Sequence, residues 1–355
     1  MVKLTTQTSE KNSLRLNNDD IDPNAFHIVK TLQRHGFTTY LVGGCVRDLL
    51  LNRHPKDFDI ATFASPREVR RFINHSFIIG KRFRLVLVKR GETQYEVSTF
   101  RRDQGPADTQ EELPDGDNLF GSPEEDARRR DFTINAFFYD PIKHELIDYA
   151  EGLPDLQHGV VRMIGDPDIR LLEDPIRILR GIRLAHMIRF SLDSKLREAM
   201  QRHAASLQGA ALPRKREEIL KFLRLDNPAL PLLTSLDLGV LDYVSPQLAA
   251  LLRDIPKVEV FLNYLFSFHD KKLNTPAELF AGLVVPYYLT LHGGQISPQL
   301  RAHDILNDEK LVRLMSNELG MFKSEQTLIA KAMHLMALFA RKKEFANRGD
   351  RRRRA

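Results

Sequence analysis

The stretch LVGGCVRDLLLNRHPKDFDIAT, residues 41–62, places a pair of glycines shortly before a pair of aspartates. An apolar strand ends at Val42, and Gly43 and Gly44 form a turn that leads into a short helix. The pattern then predicts a second strand over Asp57–Thr62. A strand, a glycine turn, a helix and an acidic strand in this order decide how we interpret the rest of the chain.

The acidic strand suggests a metal site. Side chains alternate along a strand, so Asp57 and Asp59 point to one side, about 7 Å apart along the chain, while Phe58 and Ile60 point to the core. Two carboxylates can share Mg²⁺ ions, which activate a hydroxyl and stabilise a leaving phosphate. Such a pair alone also occurs on ordinary exposed strands. Glu96, in the strand-like segment QYEVSTF, is the candidate third carboxylate.

The glycine turn suggests an anion site. Bare N–H groups at Gly43 and Gly44 and the start of the following helix can receive a phosphate, and Arg47 lies on the first helical turn. Neither the glycine pair nor the aspartate pair is specific by itself. Together they predict a site that holds a nucleoside triphosphate beside two metal ions.

A second charged segment, EEDARRRDFTINAFFYD, covers residues 124–140. We expect one helix here, with Arg128–Asp131 as its charged end and apolar residues such as Phe137 and Phe138 on its core face. A solvated charge run is one interpretation. In the other, Asp131 accepts a hydrogen bond from a ribose 2′-hydroxyl while Arg130 binds phosphate, which would select a ribonucleotide.

A third segment, EDPIRILRGIR, has charged residues at intervals of three, so neighbours in the series adjoin on a helix surface. They are Asp174, Arg177, Arg180 and Arg183. An exposed ion-pair ladder is one interpretation. Alternatively, an accepting Asp and a donating Arg match a base edge that offers an amino group beside a ring nitrogen. Adenine and cytosine offer that edge, so the helix would favour ATP and CTP over GTP and UTP.

Composition restricts the class of protein. The chain has 355 residues, 42% of them hydrophobic, which suits one large globular domain or several smaller ones. It has no run of about 18 apolar residues, and its start lacks a signal-peptide pattern, so we expect a cytoplasmic protein without a membrane segment. Cys45 is its only cysteine, which excludes an internal disulfide and a cysteine-based zinc cluster.

The net charge of +6 is concentrated in residues 341–355, which carry eight basic and two acidic residues. A solvated tail and a segment that neutralises nucleic-acid phosphates are both open interpretations.

Strand-like segments alternate with helices up to about residue 150, and helical periodicity dominates from about Arg170. The sequence therefore predicts an α+β head followed by an all-helical remainder. The expected parts are a polar tail (1–20), the head (21–150), a neck that carries EDPIRILRGIR (151–211), a helical RNA-binding body (212–340) and a basic tail (341–355).

Five motifs together resemble one family. LVGGCVRDLLL, KDFDIAT, RRDFTINAFFYD, EGLPDLQHGVVRMIG and EDPIRILRGIR are similar, in order, to the motifs of bacterial class II nucleotidyltransferases. That family comprises tRNA CCA-adding enzymes and poly(A) polymerases. The resemblance, from about Thr38 to Phe190, implies a polymerase-β-like head, helical neck and body domains, and Mg²⁺-dependent, template-independent addition of nucleotides to RNA 3′ ends.

The resemblance also implies roles for single residues. Asp57 and Asp59 would hold the metal ions, and Asp131 and Arg130 would serve the sugar and phosphate. We group Asp131, and Glu96 on the residue pattern alone, with the aspartate pair as catalytic candidates. The implied nucleotide-binding residues are Gly43, Gly44, Arg47, Arg130, Asp174, Arg177, Arg180 and Arg183. A later segment, Leu212 to Leu223, resembles a family helix that begins near Arg214 and includes Glu217 and Glu218.

Two further stretches, IIGKRFRLVLV and DNLFGSPEEDARRRD, resemble the poly(A) polymerase branch, as does the basic tail. Leu87 departs from that branch, which commonly has a polar residue at this position. We predict transfer of AMP from ATP to RNA 3′ ends, with RNA and ATP as partners. The alternatives are a CCA-adding enzyme that acts on tRNA with CTP and ATP, and an inactive RNA-binding relative.

Overall fold

The structure is a computed structural model that describes residues 2–5, 16–80, 85–102, 120–269, 271 and 273–354. The chain divides into two compact units, Met1–Asp166 and Pro167–Ala355. The first unit contains the large sheet and the second is helical, so the predicted α+β head with a helical remainder is confirmed. The finer division into tails, neck and body stays a prediction.

The first unit is built on a mixed eight-stranded sheet in the order β1-β8-β7-β2-β3-β6-β5-β4. Its strands are β1 (Val2–Thr5), β2 (Thr39–Val42), β3 (Asp59–Thr62), β4 (Ser76–Ile79), β5 (Leu85–Arg90), β6 (Thr93–Thr99), β7 (Phe137–Asp140) and β8 (Glu145–Asp148). Strands β3 and β6 run parallel, and the other neighbours run antiparallel. A two-residue strand, β9 (Val160–Val161), follows later in this unit.

Strand register defines two faces of the sheet. Val42 pairs with Asp59, and Ile60 pairs with Val97. Directly opposed residues place their side chains on the same face. The front face therefore carries Val42, Asp59 and Ala61, and the back face carries Ile60 and Val97. A buried apolar cluster on the front face contains Val42, Ala61, Phe100, Ala127, Ala136, Phe138 and Ile147.

Short helices surround the sheet: α1 (Pro23–Arg34), α2 (Gly44–Leu50), α3 (Pro66–Phe72), α4 (Pro123–Arg128) and α5 (Gly152–His158). Ser65 and Ser122 start α3 and α4 with complete capping boxes, as their sequence signatures predict. Asp22 caps α1 and accepts a hydrogen bond of 2.7 Å from the hydroxyl of Tyr95, a back-face residue. Helix α1 thus covers the back face.

Two local predictions need correction. The strand that follows α2 begins at Asp59, so Asp57 lies just before it. Residues 124–140 do not form one helix: α4 ends at Arg128, Thr133–Asn135 is a 3₁₀ turn, and strand β7 follows. The aromatic residues of β7 gain strand partners on both sides, β2 and β8, and this pairing outweighs the local helical pattern. Most of the loop expected from Arg102 to Gly116 lies outside the described residues.

The second unit contains α6 (Pro167–Glu173), α7 (Ile176–Ile188), β10 (Ser191–Leu192), α8 (Ser194–His203), α9 (Leu212–Leu223), α10 (Ala229–Asp237), α11 (Leu241–Val244), α12 (Pro246–Arg253), α13 (Ile255–His269), α14 (Pro276–Leu291), α15 (Ala302–Asn307), α16 (Glu309–Val312) and α17 (Lys323–Arg354). A π-helical turn, Arg313–Glu318, follows α16. The backbone of α17 includes most of the predicted basic tail. Within the described residues, no helix is both long and apolar enough to cross a membrane.

Candidate active site

An acidic row lies on the front face of the first unit. Because Ile60 pairs with Val97, Asp59 is level with Glu96 on the neighbouring parallel strand, one strand spacing of about 4.8 Å away. Asp57 precedes β3, and all three acidic residues are exposed. The sheet therefore brings the predicted third carboxylate, Glu96, beside the predicted pair.

The surroundings of Asp59 shift the pKa of its carboxyl group. Asp59 keeps surface open to solvent, but surrounding protein atoms desolvate its carboxyl group. This desolvation, the charge of Glu96 and the charge of Asp57 together raise its pKa to about 6, although Arg130 lowers it. A bound cation would relieve this repulsion and favour the ionised carboxylate. The crowding is what a site built for a metal ion requires.

The donor set fits Mg²⁺ only in part. In the ranges that the structure describes, no three His, Cys, Asp or Glu side chains are grouped to hold a metal ion. Mg²⁺ usually takes one or two protein carboxylates and completes its shell with water and substrate phosphates. Asp57 and Asp59 can provide those two carboxylates, and Glu96 acts on Asp59 through its charge. The metal roles stay predictions.

Backbone conformation and close packing explain the glycines of the turn. Gly43 has φ of 76°, and a Cβ atom there would lie 2.9 Å from Nη1 of Arg130. Its N–H donates a 3.0 Å hydrogen bond to the carbonyl of Phe137. At Gly44, the first residue of α2, a Cβ would lie 3.6 Å from Nη2 of Arg47. The turn is therefore packed between two guanidinium groups.

Arg47 is buried and already bound by protein groups. Its Nε and Nη2 donate to Asp48 Oδ1 at 2.9 and 2.7 Å, and its Nη1 donates to Oδ1 of Asn135. These bonds fix α2 against the turn that follows α4. Direct contact between Arg47 and a triphosphate stays a prediction.

Arg130 lies between the glycine turn and Asp59. Its Nη2 and Nε donate to Oδ2 of Asp126 at 3.0 and 3.3 Å, and its guanidinium lies 5.3 Å above the ring of Phe138. Burial alone would raise the pKa of Asp126, but Arg130 and Arg129 outweigh it, so the pKa is lowered. Asp126 thus holds the Arg130 cation next to the turn and the acidic row.

Asp131 follows directly and is half-buried. Its carbonyl accepts a 3.0 Å hydrogen bond from the N–H of Ile164, which fixes the backbone at this point. The structure places Asp131 beside Arg130 in sequence and in space, and its role towards a ribose stays a prediction.

The second unit places the predicted base-reading residues on and beside α7. Both oxygens of Asp174 accept hydrogen bonds from Arg214, at 2.9 and 2.8 Å. Arg177 donates from Nη1 to Glu173 at 2.9 Å and to the carbonyl of Arg170 at 2.6 Å. Asp174 is therefore held in one orientation by a bidentate partner.

A second carboxylate, that of Glu218, fixes Arg183, the last of the charged residues spaced by three along α7. Glu218 is buried and accepts from Nε of Arg183 at 2.7 Å and from Lys221 at 2.9 Å. Burial would raise the pKa of Glu218, but Arg183 and Lys221 lower it overall. Arg180 lies between, half-buried on α7. The segment from Leu212, which resembles the later family helix, thus supports α7 through Arg214 and Glu218.

Sequence reasoning missed three residues that organise the first unit: Asp48, Asp126 and Asn135. Asp126 precedes Arg129 and Arg130 by three and four positions, a helical spacing that signals ion pairing. Asn135 has no local signal, because the guanidinium it accepts from belongs to a residue 88 positions earlier.

Comparisons with known proteins agree with this arrangement. Residues 39–162 match the family described as the poly A polymerase head domain. Residues 189–252 match a family described as the probable RNA and SrmB-binding site of polymerase A.

Curated relatives come from both branches. The chain is 39% identical to poly(A) polymerase I of Haemophilus influenzae over 232 residues, which is 62% of this chain and 51% of that protein. It is 42% identical to poly(A) polymerase I of Salmonella typhi over 59% of this chain and 46% of that protein. A CCA-adding enzyme of Lactobacillus helveticus is 38% identical over 57% of this chain and 50% of that protein. The chain therefore spans about half the length of these relatives.

Solved structures of CCA-adding enzymes share the fold. One, from Bacillus stearothermophilus in complex with CTP, has a TM-score of 0.59 and 24% identity, covering 89% of this chain and 83% of that one. Another, in complex with ATP, has a TM-score of 0.62 and 22% identity, covering 88% and 69%. The motifs, the domain matches and the fold agree, and the chain belongs to the class II nucleotidyltransferase family of poly(A) polymerases and CCA-adding enzymes.

Proposed function

We propose that this protein adds AMP from ATP to RNA 3′ ends, as a poly(A) polymerase. The observation that carries the proposal is the acidic row, in which strand register places Glu96 level with Asp59, Asp57 directly precedes the strand, and the Arg130 cation lies close by. Crowded carboxylates next to a fixed cation suit a reaction that brings together a triphosphate and metal ions.

In the proposed reaction, the 3′-hydroxyl of RNA loses its proton to solvent, and its oxygen attacks the α-phosphorus of ATP. A new phosphodiester bond forms as the bond between the α-phosphorus and the bridging oxygen breaks, and pyrophosphate leaves. Bound Mg²⁺ would lower the pKa of the hydroxyl and neutralise the charge that develops on the phosphates. Asp57 and Asp59 would hold the metal, and Arg130, fixed by Asp126, would supply positive charge at the triphosphate.

Base selection would belong to α7. An ionised carboxylate offers about four acceptor positions, and Arg214 occupies one on each oxygen of Asp174. Asp174 can therefore still accept a hydrogen bond from the amino group of adenine while Arg177 donates to a ring nitrogen. Guanine and uracil present the reverse pattern and would leave these groups unpaired.

RNA is the expected macromolecular partner. The match of residues 189–252 to an RNA-binding family supports this, and we expect the enzyme to work in the cytoplasm. Three poly(A) polymerases I are 39–42% identical to this chain over the matched residues, which supports this branch as the first choice.

The second candidate is a CCA-adding enzyme that uses CTP and ATP on tRNA. It is favoured by relatives with 38% and 39% identity and by the solved structures that share the fold. A third candidate, an inactive RNA-binding relative, would not need the crowded carboxylates of the acidic row.

The test uses purified protein with Mg²⁺ and two RNAs, a generic oligonucleotide and a tRNA that lacks its 3′ CCA. Each RNA receives ATP alone or ATP with CTP, and the products are sequenced. Long A-tails on the generic RNA are expected. Addition that is confined to tRNA and stops after C-C-A would replace the proposal with the CCA-adding function, and no addition to either RNA would indicate an inactive relative.

A further inference from the structure

The acidic row continues beyond the carboxylates into an apolar surface. Glu96 pairs with Leu87 on β5, and Leu87 pairs with Phe77 on the edge strand β4. Directly opposed residues share a face. Asp59, Glu96, Leu87 and Phe77 therefore form one cross-strand line on the front face.

Large apolar side chains on this surface are exposed to solvent. The side chain of Phe77 is 52% exposed and that of Ile79 is 39% exposed, while Leu87 is half-buried. Contiguous exposed apolar side chains usually mark a place where something binds. The register puts Ile79 opposite Leu85, on the same face as Phe77. The side chains of Phe77, Ile79 and Leu87 therefore form one apolar patch.

A cation accompanies the aromatic ring. Lys89 is exposed on β5, two residues from Leu87 on the same face, and its Nζ lies 5.9 Å from the centre of the Phe77 ring. An exposed aromatic ring with an adjacent ammonium group is the combination that proteins use to bind single-stranded nucleic acid. The ring stacks on a base and the cation neutralises a phosphate.

We propose that Phe77 is a stacking platform for a base of the RNA substrate near its 3′ end, with Lys89 as the partner of the adjoining phosphate. The proposal rests on the proposed function, because it places the 3′-hydroxyl at Asp59. Three strand spacings, about 14 Å, separate Phe77 from Asp59 along the line. The stacked base is therefore one that precedes the terminal nucleotide.

Continuity with the acidic row favours RNA over a protein partner. For a chain whose end lies at the carboxylates, the cross-strand line offers a path along the sheet surface that leads over Phe77. Stacking also tolerates any base. This property suits a substrate whose last nucleotides change from the original 3′ sequence to adenosines as the tail grows.

The first test uses fluorescence. The sequence contains no Trp, so Phe77→Trp introduces a single reporter at the platform. The matched control is Phe26→Trp, because Phe26 also lies beneath a lysine, Lys30, at 5.8 Å, but on α1 at the back face. A short oligoadenylate should quench the Phe77→Trp protein and leave the Phe26→Trp protein unchanged. Equal signals from both proteins, or no signal at RNA concentrations that saturate binding by anisotropy, would overturn the proposal.

The second test uses kinetics. Loss of one stacked base should raise the KM for RNA roughly tenfold in Phe77→Ala, with the KM for ATP unchanged, and Phe77→Tyr should restore the wild-type value. Phe26→Ala should not change the KM for RNA. An unchanged KM for RNA in Phe77→Ala, or an increase only in the KM for ATP, would contradict the platform.

Two further outcomes separate the possible failures. If the wild-type protein extends no RNA but oligoadenylate still quenches the Phe77→Trp protein, the platform stands and the proposed AMP transfer falls. If sedimentation shows a dimer that Phe77→Ala dissociates, and the RNA titration gives no quenching, the patch is a protein interface and the platform is wrong.

Discussion

The acidic row of the first unit and helix α7 of the second unit use carboxylates in opposite ways. In the acidic row, Asp59 lies level with Glu96, and burial together with neighbouring negative charge outweighs the Arg130 cation and raises the pKa of Asp59 to about 6. Beside α7, Asp174 is bound by both terminal nitrogens of Arg214, and Glu218 accepts from two cationic side chains.

The difference follows from what each carboxylate would have to do. A group that binds a metal ion is most effective when the protein leaves its charge uncompensated, at a cost in the stability of the metal-free protein. A group that reads a base must stay ionised and keep one orientation, so a bidentate arginine is the suitable partner. Uncompensated charge would mark the chemical centre, and compensated charge would mark the specificity centre.

The largest effect is expected when the carboxylate of Asp59, the crowded group of the acidic row, is removed. Asp59→Ala should reduce incorporation of labelled AMP roughly 1,000-fold, because a metal ligand is lost. The melting temperature of the metal-free protein should stay the same or rise, since repulsion is relieved. Glu92→Ala, which removes an exposed carboxylate in the β5–β6 turn, is the control and should retain activity. Activity of Asp59→Ala within tenfold of wild type would refute the metal assignment.

Removing a compensated charge should change specificity more than chemistry. Asp174→Asn replaces an acceptor with an amide that also donates, so the ratio of kcat/KM for ATP over GTP should fall roughly 100-fold. Steady-state kinetics with both nucleotides measures this. Asp237→Asn breaks an exposed pair with Arg197 in the same unit and should leave the ratio unchanged. An unaltered ratio in Asp174→Asn would mean that α7 does not read the base.

A substitution in the glycine turn tests the comparison, because it should displace the Arg130 cation that lies beside the acidic row. Gly43→Ala places a Cβ against Arg130 at a positive φ, and should cost about 2 kcal/mol of unfolding free energy and roughly tenfold in activity. Gly91→Ala also has a positive φ, 59°, but nothing lies within 4 Å of its Cβ. It should lose about 1 kcal/mol and no activity. Urea denaturation and AMP incorporation give both values, and equal activity losses would exclude a role for Arg130 placement.

The smallest expected effect is on the pH dependence of the unfolding free energy, to which the two regions should contribute with opposite sign. The folded pKa of Asp59 is raised, so the native state holds a proton that the unfolded chain has lost between about pH 4 and pH 6. The unfolding free energy of the metal-free protein should therefore fall as pH rises through this window, by about 1 kcal/mol after solvent screening. Asp59→Asn should abolish the fall.

Glu218 has a lowered folded pKa, so its contribution is complete above its ordinary value of 4.5 and is lost as pH falls through the lowered value. Glu218→Gln should remove that loss at acid pH. Urea denaturation of the wild type and both variants over a pH series measures the two slopes. Slopes of the same sign would contradict the contrast between uncompensated and compensated carboxylates.

Sequence signals succeeded where the bonds are local. Ser65 and Ser122 predicted two helix starts, and Asp22 with Pro23 predicted a third, because each cap joins residues at most three positions apart. The same signals failed across 124–140. There the charged run is helical only to Arg128, and pairing with distant strands decides the conformation of the aromatic residues that follow.

The sequence by itself determined the order of the motifs, the α+β character of the head and the residue types that suit nucleotidyl transfer. Only the tertiary structure decided that Glu96 is level with Asp59, that Asn135 accepts from Arg47, and that the acidic row continues to Phe77. These relations depend on strand register and on packing between residues far apart in the chain. Hydrogen bonding across the sheet fixes them, and no local pattern of residues carries that information.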